Sequence, residues 1–418
     1  MLAEQARIAF EHDEVDELSS YRDRFHWPVT ATGDRKCYLA GNSLGLQPNT
    51  VEQAVQDILG DWKALGVEGH FNGSPPWLSY HENATSGLAR LLGCKVSEVV
   101  AMNTLTVNLN LLLLSFYRPT AQRFRILIEA DAFPSDRYAV QSQLRLHGFD
   151  PDQDLVEWRG SSEGLTVDSL REILDADERI AMVMVPGVQY LTGEVLDLQG
   201  IADLTHKYGI TLGTDLAHAI GNVPLQLHDW GIDFAVFCSY KYLNGGPGAV
   251  GGAFVHERHH GLRDGQLHGW WGNREATRFE MRHKIDPAPG VEIWQQSNPP
   301  ILSMAPLVAS LEIFDSIGID AIRSKSQRLT GYLRTLIESH LPGRVQIITP
   351  KARQGAQLSL RIVDERVTGR SVLESLEQQH VVCDWREPDV IRVAPAPLYN
   401  NFTDVWTFVQ RLDRAMQP

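Results

Sequence analysis

Short apolar segments alternate with helical patterns through most of the first 300 residues, and this alternation restricts the possible folds more than any other feature. The strand-like runs cover residues 125–128, 180–185, 210–213 and 234–238. Amphipathic stretches such as residues 167–176 and 198–207 lie between them. Alternation of this kind is typical of βαβ units, whose strands lie side by side in a parallel sheet. The sequence therefore predicts an α/β fold with a mostly parallel sheet in a large domain.

Two prolines at residues 299–300 end the alternating region. A helical pattern follows over residues 301–317, breaks at Gly318 and resumes to about His340, long enough to run from one domain into another. The remaining segments are typical of a small α+β domain, with strands at 345–348, 357–362, 381–385 and 390–394, a helix near 370–379 and a last helix from about 403. We predict an N-terminal arm over residues 1–50, a large domain over 51–300, and a linker helix with a small C-terminal domain over 301–418.

Composition and charge exclude several classes of function. The chain has 38 Lys and Arg against 52 Asp and Glu, a net charge of −14, and no basic run, so neither nucleic acid nor an anionic membrane is an expected partner. Its four cysteines are scattered singly, as in reducing compartments. The most apolar run, residues 109–117, is far shorter than the roughly 20 residues that span a bilayer. We predict a cytoplasmic protein.

Two strand-like segments end in side chains that can carry cofactor chemistry. Residues 233–241 end in Lys241, and residues 209–215 end in Asp215. Open α/β sheets bind ligands at the carboxyl ends of their strands. A lysine amine there can form a Schiff base, and a carboxylate can keep a pyridine nitrogen protonated. Position alone favours a surface lysine, and an aspartate that caps the following helix is the alternative for Asp215, but the pair together predicts pyridoxal phosphate bound to Lys241.

Two further segments fit the rest of such a cofactor. Thr104 and Thr106 follow a strand-like run and precede a helical run from Val107, as a phosphate site at a helix N-terminus requires, although threonine before a helix is commonly only a cap. Residues 129–136 also follow a strand and supply Phe133, which can lie flat on a ring, with Asp136 nearby. Core packing is the alternative for Phe133.

Two other signals are weaker. The segment Gly246-Pro-Gly-Ala-Val-Gly251 matches a dinucleotide-binding pattern, but it leads into a strand-like run rather than a helix, so we predict a turn covering the lysine. Histidines cluster nearby without flanking acidic or cysteine ligands, and we predict a solvated turn and no metal site. These histidines are His256, His259, His260 and His268.

Long blocks spread over nearly the whole chain share one family pattern. They include Tyr38-Leu-Ala-Gly-Asn-Ser-Leu-Gly-Leu-Gln-Pro48, Asp215-Leu-Ala-His-Ala-Ile-Gly-Asn222, Ser239-Tyr-Lys-Tyr-Leu-Asn244 and Ile391-Arg-Val-Ala-Pro-Ala-Pro-Leu-Tyr-Asn400. In these blocks the chain resembles the kynureninase family of fold-type I pyridoxal phosphate enzymes. The resemblance implies hydrolysis of L-kynurenine or 3-hydroxy-L-kynurenine to anthranilate or 3-hydroxyanthranilate plus L-alanine, in tryptophan catabolism and NAD biosynthesis. It also implies a transferase-like fold and a homodimer with a shared active site.

The resemblance implies a role for each residue of the site. Lys241 would carry the cofactor and accept the Cα proton, while Tyr240 would shuttle protons. The implied cofactor-binding residues are Leu105, Thr106, Phe133, Ser135, Asp136, Asp215, His218, Tyr240, Lys241, Trp270 and Asn298. Arg392 would hold the substrate carboxylate, and His70 with Asn298 would contact a ring hydroxyl. Trp270 and Asn298 would come from the partner subunit. Pro186 departs from the pattern, because a hydroxyl residue is expected there.

Other uses of the same fold remain as alternatives. A cysteine desulfurase needs a mobile reactive cysteine, whereas Cys383 lies in an apolar strand pattern where thiols are usually inert. An aminotransferase is a further member of this cofactor class. A regulator that senses amino acids would carry a basic DNA-binding segment, and neither end of the sequence contains one.

Overall fold

A computed structural model describes residues 2–161, 163–262 and 264–417. Its strands are β1 (Cys37–Tyr38), β2 (Val99–Ala101), β3 (Arg125–Glu129), β4 (Leu155–Trp158), β5 (Ile180–Pro186), β6 (Thr211–Asp215), β7 (Phe234–Cys238), β8 (Gly251–Val255), β9 (Val345–Ile347), β10 (Leu358–Ile362), β11 (Val381–Val382), β12 (Asp384–Arg386) and β13 (Val390–Val393). Its α-helices are α1 (Leu2–Glu14), α2 (Val51–Leu65), α3 (Gly69–Asn72), α4 (Glu82–Leu92), α5 (Leu105–Phe116), α6 (Pro134–Leu146), α7 (Pro151–Asp154), α8 (Val167–Ala176), α9 (Leu198–Lys207), α10 (Ile301–Ile317), α11 (Ile319–His340), α12 (Gly369–Gln378) and α13 (Phe402–Ala415).

The large sheet has seven strands in the order β2-β8-β7-β6-β5-β3-β4. Neighbours from β4 to β7 are parallel, and β8 is antiparallel to both of its neighbours. Alternate residues of β5 belong to different core clusters, Val183 and Val185 to one and Met182 and Met184 to the other. Both faces of the sheet are therefore buried, as parallel strands require. The predicted α/β fold with a mostly parallel sheet is confirmed.

The strand ends determine where functional side chains can lie. Strands β3, β5 and β6 end one or two residues beyond the predicted runs, at Glu129, Pro186 and Asp215. The register pairs Pro186 with Asp215, and Asp215 with Val236 of β7. Because these strands are parallel, their carboxyl ends meet at one edge of the sheet. Lys241 follows β7 by three residues at this same edge.

A second, antiparallel sheet has the order β12-β13-β10-β9 and packs with α11, α12 and α13 around a separate core. The run 381–385, predicted as one strand, is divided at Cys383. Strand β11 pairs with β1 of the N-terminal segment, whereas β12 pairs with β13. The sequence pattern could not predict this division, because it depends on two different pairing partners.

The helical segment after the prolines is bent rather than straight. Helices α10 and α11 have the predicted bounds and the predicted break at Gly318, where they meet at 84°. Gly318 has φ of +83°, a conformation that glycine adopts without strain. Within the described residues no single helix has the length and apolar character to cross a membrane; α10 and α11 reach both only when taken together.

The first 50 residues pack against the C-terminal part of the chain. Helix α1 contacts α13, and β1 pairs in parallel with β11. The Asp13 carboxylate accepts the backbone N–H groups of Phe402 at 2.7 Å and Thr403 at 3.1 Å, and so satisfies the first turn of α13. Arg22 pairs with Asp404 in the same turn. These contacts join the two ends of the chain.

A buried ion pair fixes the N-terminal segment to α11. Asp16 Oδ2 lies 2.7 Å from Lys325 Nζ, and the two side chains are 2% and 3% exposed. Burial lowers the pKa of Lys325, so its charge depends on its partner. Because Asp16→Ala leaves that charge buried and unpaired, we expect the free energy of unfolding in urea to fall by about 3 kcal/mol.

The control for this prediction is Glu11→Ala, which breaks the exposed pair between Glu11 and Arg7. Exposed pairs contribute little to stability, so the urea midpoint should stay unchanged. An Asp16→Ala protein as stable as this control would show that the buried pair is not needed.

Candidate active site

One cavity at the carboxyl ends of β3, β5 and β6 contains most of the residues singled out from the sequence. Nine of them line it together: Leu105, Thr106, Phe133, Ser135, Asp136, Asp215, His218, Tyr240 and Lys241. Glu129, Pro186, Val188, Tyr190 and Ala217 complete the lining. Pro186 was noted as a departure, and the others were not assigned to the site. A cavity is thus already present at the edge of the sheet where the parallel strands end.

Two helix N-termini form one end of this cavity. Helix α5 begins at Leu105, two residues earlier than predicted, and Thr104 precedes it in extended conformation without a side-chain cap. Thr106 Oγ1 lies 2.7 Å from Ser135 Oγ in the first turn of α6. A Cβ added to Gly251 would lie 3.0 Å from the Leu105 nitrogen, so glycine allows β8 to approach this loop. The two hydroxyls and the dipoles of the two helices suit a phosphate here.

Three buried carboxyl groups also line the cavity. Burial raises the pKa of Glu129 to about 8. It also raises the pKa of Asp136, which faces Asp215, and the pKa of Asp215, although Lys241 opposes that second shift. Asp215 accepts the Ala217 N–H at 2.7 Å, whereas Asp136 Oδ1 finds no hydrogen-bond donor among the described residues. The free oxygen of Asp136 can therefore accept a hydrogen bond from a protonated ring nitrogen.

Lys241 and His218 are hydrogen-bonded to each other at the centre of the site. Lys241 Nζ lies 2.9 Å from His218 Nε2. Burial lowers the pKa of His218 well below its usual value, so the imidazole is neutral and its Nε2 accepts from the lysine. The neighbouring Tyr240 also lines the cavity, and burial raises the pKa of its phenol. At neutral pH Tyr240 is therefore a proton donor.

Phe133 is open to the cavity rather than buried in the core. Its side chain is 42% exposed, and its ring meets that of Tyr190 edge-on at a centroid distance of 5.1 Å. Tyr190 follows β5 just as Asp215 ends β6, so the strand-end argument could have found it. The alternative prediction, that Phe133 packs in the core, is therefore wrong.

Arg392 lies behind the cavity wall. Its side chain is 1% exposed and donates to Asp384 Oδ1 at 2.6 Å, the Tyr190 carbonyl at 2.8 Å and Ser43 Oγ at 3.2 Å. Because Tyr190 lines the cavity, the guanidinium is one residue away from the ligand space. Asp384 and Ser43 were not singled out from the sequence.

Three other residues implied by the resemblance do not line the cavity of the single chain. Trp270 is 39% exposed, and its indole donates to the Arg278 carbonyl at 2.9 Å. Asn298 is also exposed. His70 lies in α3, with its ring edge-on to Trp77 at a centroid distance of 5.4 Å.

The histidine cluster is more structured than predicted. His259 Nε2 lies 2.7 Å from Asp233 Oδ1, and His256 stacks on His228 with its Nδ1 3.7 Å from Glu98. The predicted solvated turn is therefore wrong for His256 and His259, because their acidic partners are distant in sequence. The glycine-rich segment leads into strand β8, as predicted.

The four cysteines do not offer a reactive thiol. Burial raises the pKa of Cys383 to about 12 and that of Cys238 to about 11. It also raises the pKa of Cys37 and of Cys94. Thiolate chemistry requires the opposite shift, so the site lacks the nucleophile of a desulfurase.

Comparisons with known proteins agree with this geometry. Residues 322–412 match the family described as the kynureninase C-terminal domain. A kynureninase of Xanthomonas oryzae pv. oryzae (strain PXO99A) is 53% identical over 408 residues, and one of Xanthomonas campestris pv. campestris (strain B100) is 52% identical over 406; each alignment covers 96% of both chains.

Solved structures share the fold at lower identity. A C-DES mutant with glycine linked to its pyridoxal phosphate cofactor superposes with a TM-score of 0.79 at 17% identity, covering 90% of this chain and 96% of that one. The cysteine desulfurase CsdA of Escherichia coli gives 0.78 at 17% identity, covering 96% and 99%. Fold and site together define a pyridoxal phosphate-dependent enzyme of fold type I. With relatives more than 50% identical over nearly its whole length, the chain belongs to the kynureninase family.

Proposed function

We propose that this member of the kynureninase family hydrolyses L-kynurenine, 3-hydroxy-L-kynurenine or both, through the residues gathered at the edge of the large sheet. The products are anthranilate or 3-hydroxyanthranilate, and L-alanine. The observation that carries the proposal is the meeting of the Lys241 amine, the buried Asp215 carboxylate and two helix N-termini in one cavity. Each part fits a different group of pyridoxal phosphate.

Thr106, Ser135 and the N-terminal turns of α5 and α6 would hold the phosphate, and the exposed Phe133 would supply an aromatic surface for the ring. Asp215, with Asp136 beside it, would keep the ring nitrogen protonated, because a cationic ring at this position would lower the pKa values that burial raises. The bound cofactor supplies an electron sink for the negative charge that develops at the substrate Cα.

The side chains around that ring move the protons. The Lys241 amine would accept the Cα proton, and its hydrogen bond to His218 keeps that amine in place. Water adds to the γ-carbonyl, the Cβ–Cγ bond breaks to leave Cγ as the carboxyl group of the aromatic product, and the Tyr240 phenol would supply the proton that Cβ needs to become the methyl group of alanine. Arg392 holds the α-carboxylate and orients the substrate.

The activity is tested with kynurenine and 3-hydroxykynurenine supplied separately to the purified holoenzyme. We expect equal amounts of L-alanine and of the matching aromatic product, measured by chromatography. The ratio of kcat/KM for the two substrates gives the preference, which we assign to His70 and Asn298 because imidazole and carboxamide can both bond a ring hydroxyl. Failure to release alanine from either substrate would contradict the proposed reaction.

We also propose a homodimer whose subunits share their active sites. The support is an apolar cleft of Ile58, Trp62, Trp77, Pro300, Ile301, Leu302 and Ser303. Trp62 in this cleft is 60% exposed, and Leu302 lies four residues from Asn298. Exposed apolar surface of this kind marks an interface. A second copy bound at this cleft would bring its Asn298 close to the Lys241 cavity, which Asn298 of the same chain does not line.

Mixed dimers test this sharing. Lys241→Ala and Asn298→Ala subunits are each expected to form impaired homodimers, but a hybrid of the two contains one complete site. Random reassociation should therefore restore about a quarter of the wild-type activity, since half of the dimers are hybrids with one of two sites intact. Light scattering measures the dimer. No gain above the two parent proteins would place Asn298 in its own subunit's site.

A further inference from the structure

We propose that Asp384 is a positioning residue for the substrate: it holds the Arg392 guanidinium so that the edge away from Asp384, now on the Tyr190 carbonyl, can receive the α-carboxylate. This inference rests on the role proposed for Arg392. Asp384 is separate from the cavity lining, and it acts only through the arginine.

The sheet register sets the two side chains opposite each other. Asp384 of β12 and Arg392 of β13 are direct cross-strand partners. Asp384 Oδ1 accepts from Arg392 Nε at 2.6 Å, and Oδ2 accepts from the terminal nitrogen on the same edge of the guanidinium. A two-point contact of this kind fixes the plane of the guanidinium as well as its position.

Two other groups hold Asp384 itself. Ser43 donates its hydroxyl to Oδ2, and Arg386 lies 3.3 Å from the same oxygen. Although burial alone would raise it, the hydrogen bonds and charge of Arg392, with Ser43, hold the pKa of Asp384 below its usual value. The carboxylate is therefore ionised at neutral pH, and it compensates the charge of a fully buried guanidinium.

The edge of Arg392 away from Asp384 is the one that can bind a ligand. Its other terminal nitrogen donates to the Tyr190 carbonyl at 2.8 Å, and Tyr190 lines the cavity. An incoming carboxylate would thus replace a neutral carbonyl and leave the Asp384 contact intact. Because a charge-assisted hydrogen bond is stronger than one to a neutral acceptor, this exchange favours the carboxylate.

The test is Asp384→Asn in the holoenzyme, with two ligands that differ only at the carboxylate. We expect KM for kynurenine to rise about tenfold while kcat changes less than about threefold, since a misaligned guanidinium loses one charge-assisted contact. The dissociation constant of L-alanine, measured by calorimetry, should rise by a similar factor. That of L-alaninamide, which lacks the carboxylate, should not change.

Three further variants separate the possible outcomes. Asp389→Asn breaks a partly exposed pair between the turn after β12 and Arg361 of β10, whose atoms lie 2.7 Å apart, and should leave both ligands unaffected. Asp384→Glu keeps the charge and should recover part of the L-alanine affinity; it also serves if Asp384→Asn does not fold. Unchanged or tighter L-alanine binding, or equal weakening of both ligands, overturns the inference. If Arg392→Gln also leaves L-alanine binding unchanged, the proposed role of Arg392 fails instead.

Discussion

Lys241→Ala is expected to abolish kynurenine hydrolysis and to remove the visible absorption of the cofactor bound to this lysine. The amine at this position both attaches the cofactor and accepts the Cα proton, and its Nζ is held 2.9 Å from His218. Loss of a positioned base alone costs up to about 10⁴-fold in rate. We expect kcat, measured as anthranilate formed, to fall by at least about 10³-fold. Labelled borohydride, which reduces a Schiff base on a lysine, should incorporate no label into the variant.

Lys207→Ala is the matched control, because this lysine lies at the exposed C-terminal end of α9. Its spectrum and kcat should equal those of the wild type. A Lys241→Ala protein that keeps the absorption band would place the attachment of the cofactor at another lysine.

Asp215→Asn is expected to lower kcat by about 10²-fold or more, the effect of removing one preorganised electrostatic contact. An amide of the same shape cannot keep the ring nitrogen protonated, so less charge can be withdrawn from the substrate Cα. Asp136 lies against the same position and bears an unpaired oxygen. Its carboxyl group should preserve some activity, and the double variant Asp136→Asn with Asp215→Asn should be lower than either single one.

The dissociation constant of pyridoxal phosphate is the second measurement for this prediction. The phosphate end of the site is untouched by Asp215→Asn, so the protein should still bind the cofactor at Lys241. Asp203→Asn, at an exposed position of α9, controls for loss of a surface charge. An Asp215→Asn enzyme with wild-type kcat would contradict the role given to this carboxylate.

The sequence predicted the large sheet well, because its strands and helices have different periodicities. Helices α8 and α9 and strand β7 have the predicted bounds, and Lys241 and Asp215 could be placed at strand ends before any pairing was known. Glu129 was within reach of the same argument, since it is the last residue of β3.

The contacts around Arg392 could not be predicted in this way. Asp384 meets the arginine through cross-strand register, and Ser43 reaches it from the first 50 residues. Neither contact produces a local pattern in the sequence. The contact between Glu98 and His256 could not be predicted for the same reason, because the two residues are far apart in the chain.

The pairing of β1 with β11 has a consequence for how the chain acquires activity as it is synthesised. The Arg392–Ser43 contact joins residues 349 positions apart. The Asp13 carboxylate likewise cannot bind its partner, the Phe402 N–H, until the first turn of α13 has been synthesised. Contacts of such long range form slowly, after local structure. Residues 1–50 are synthesised before the segments that they pack against and are therefore among the last to reach their final positions, and a nascent chain that stops short of Arg392 contains Lys241 and Asp215 but not the arginine proposed to hold the substrate.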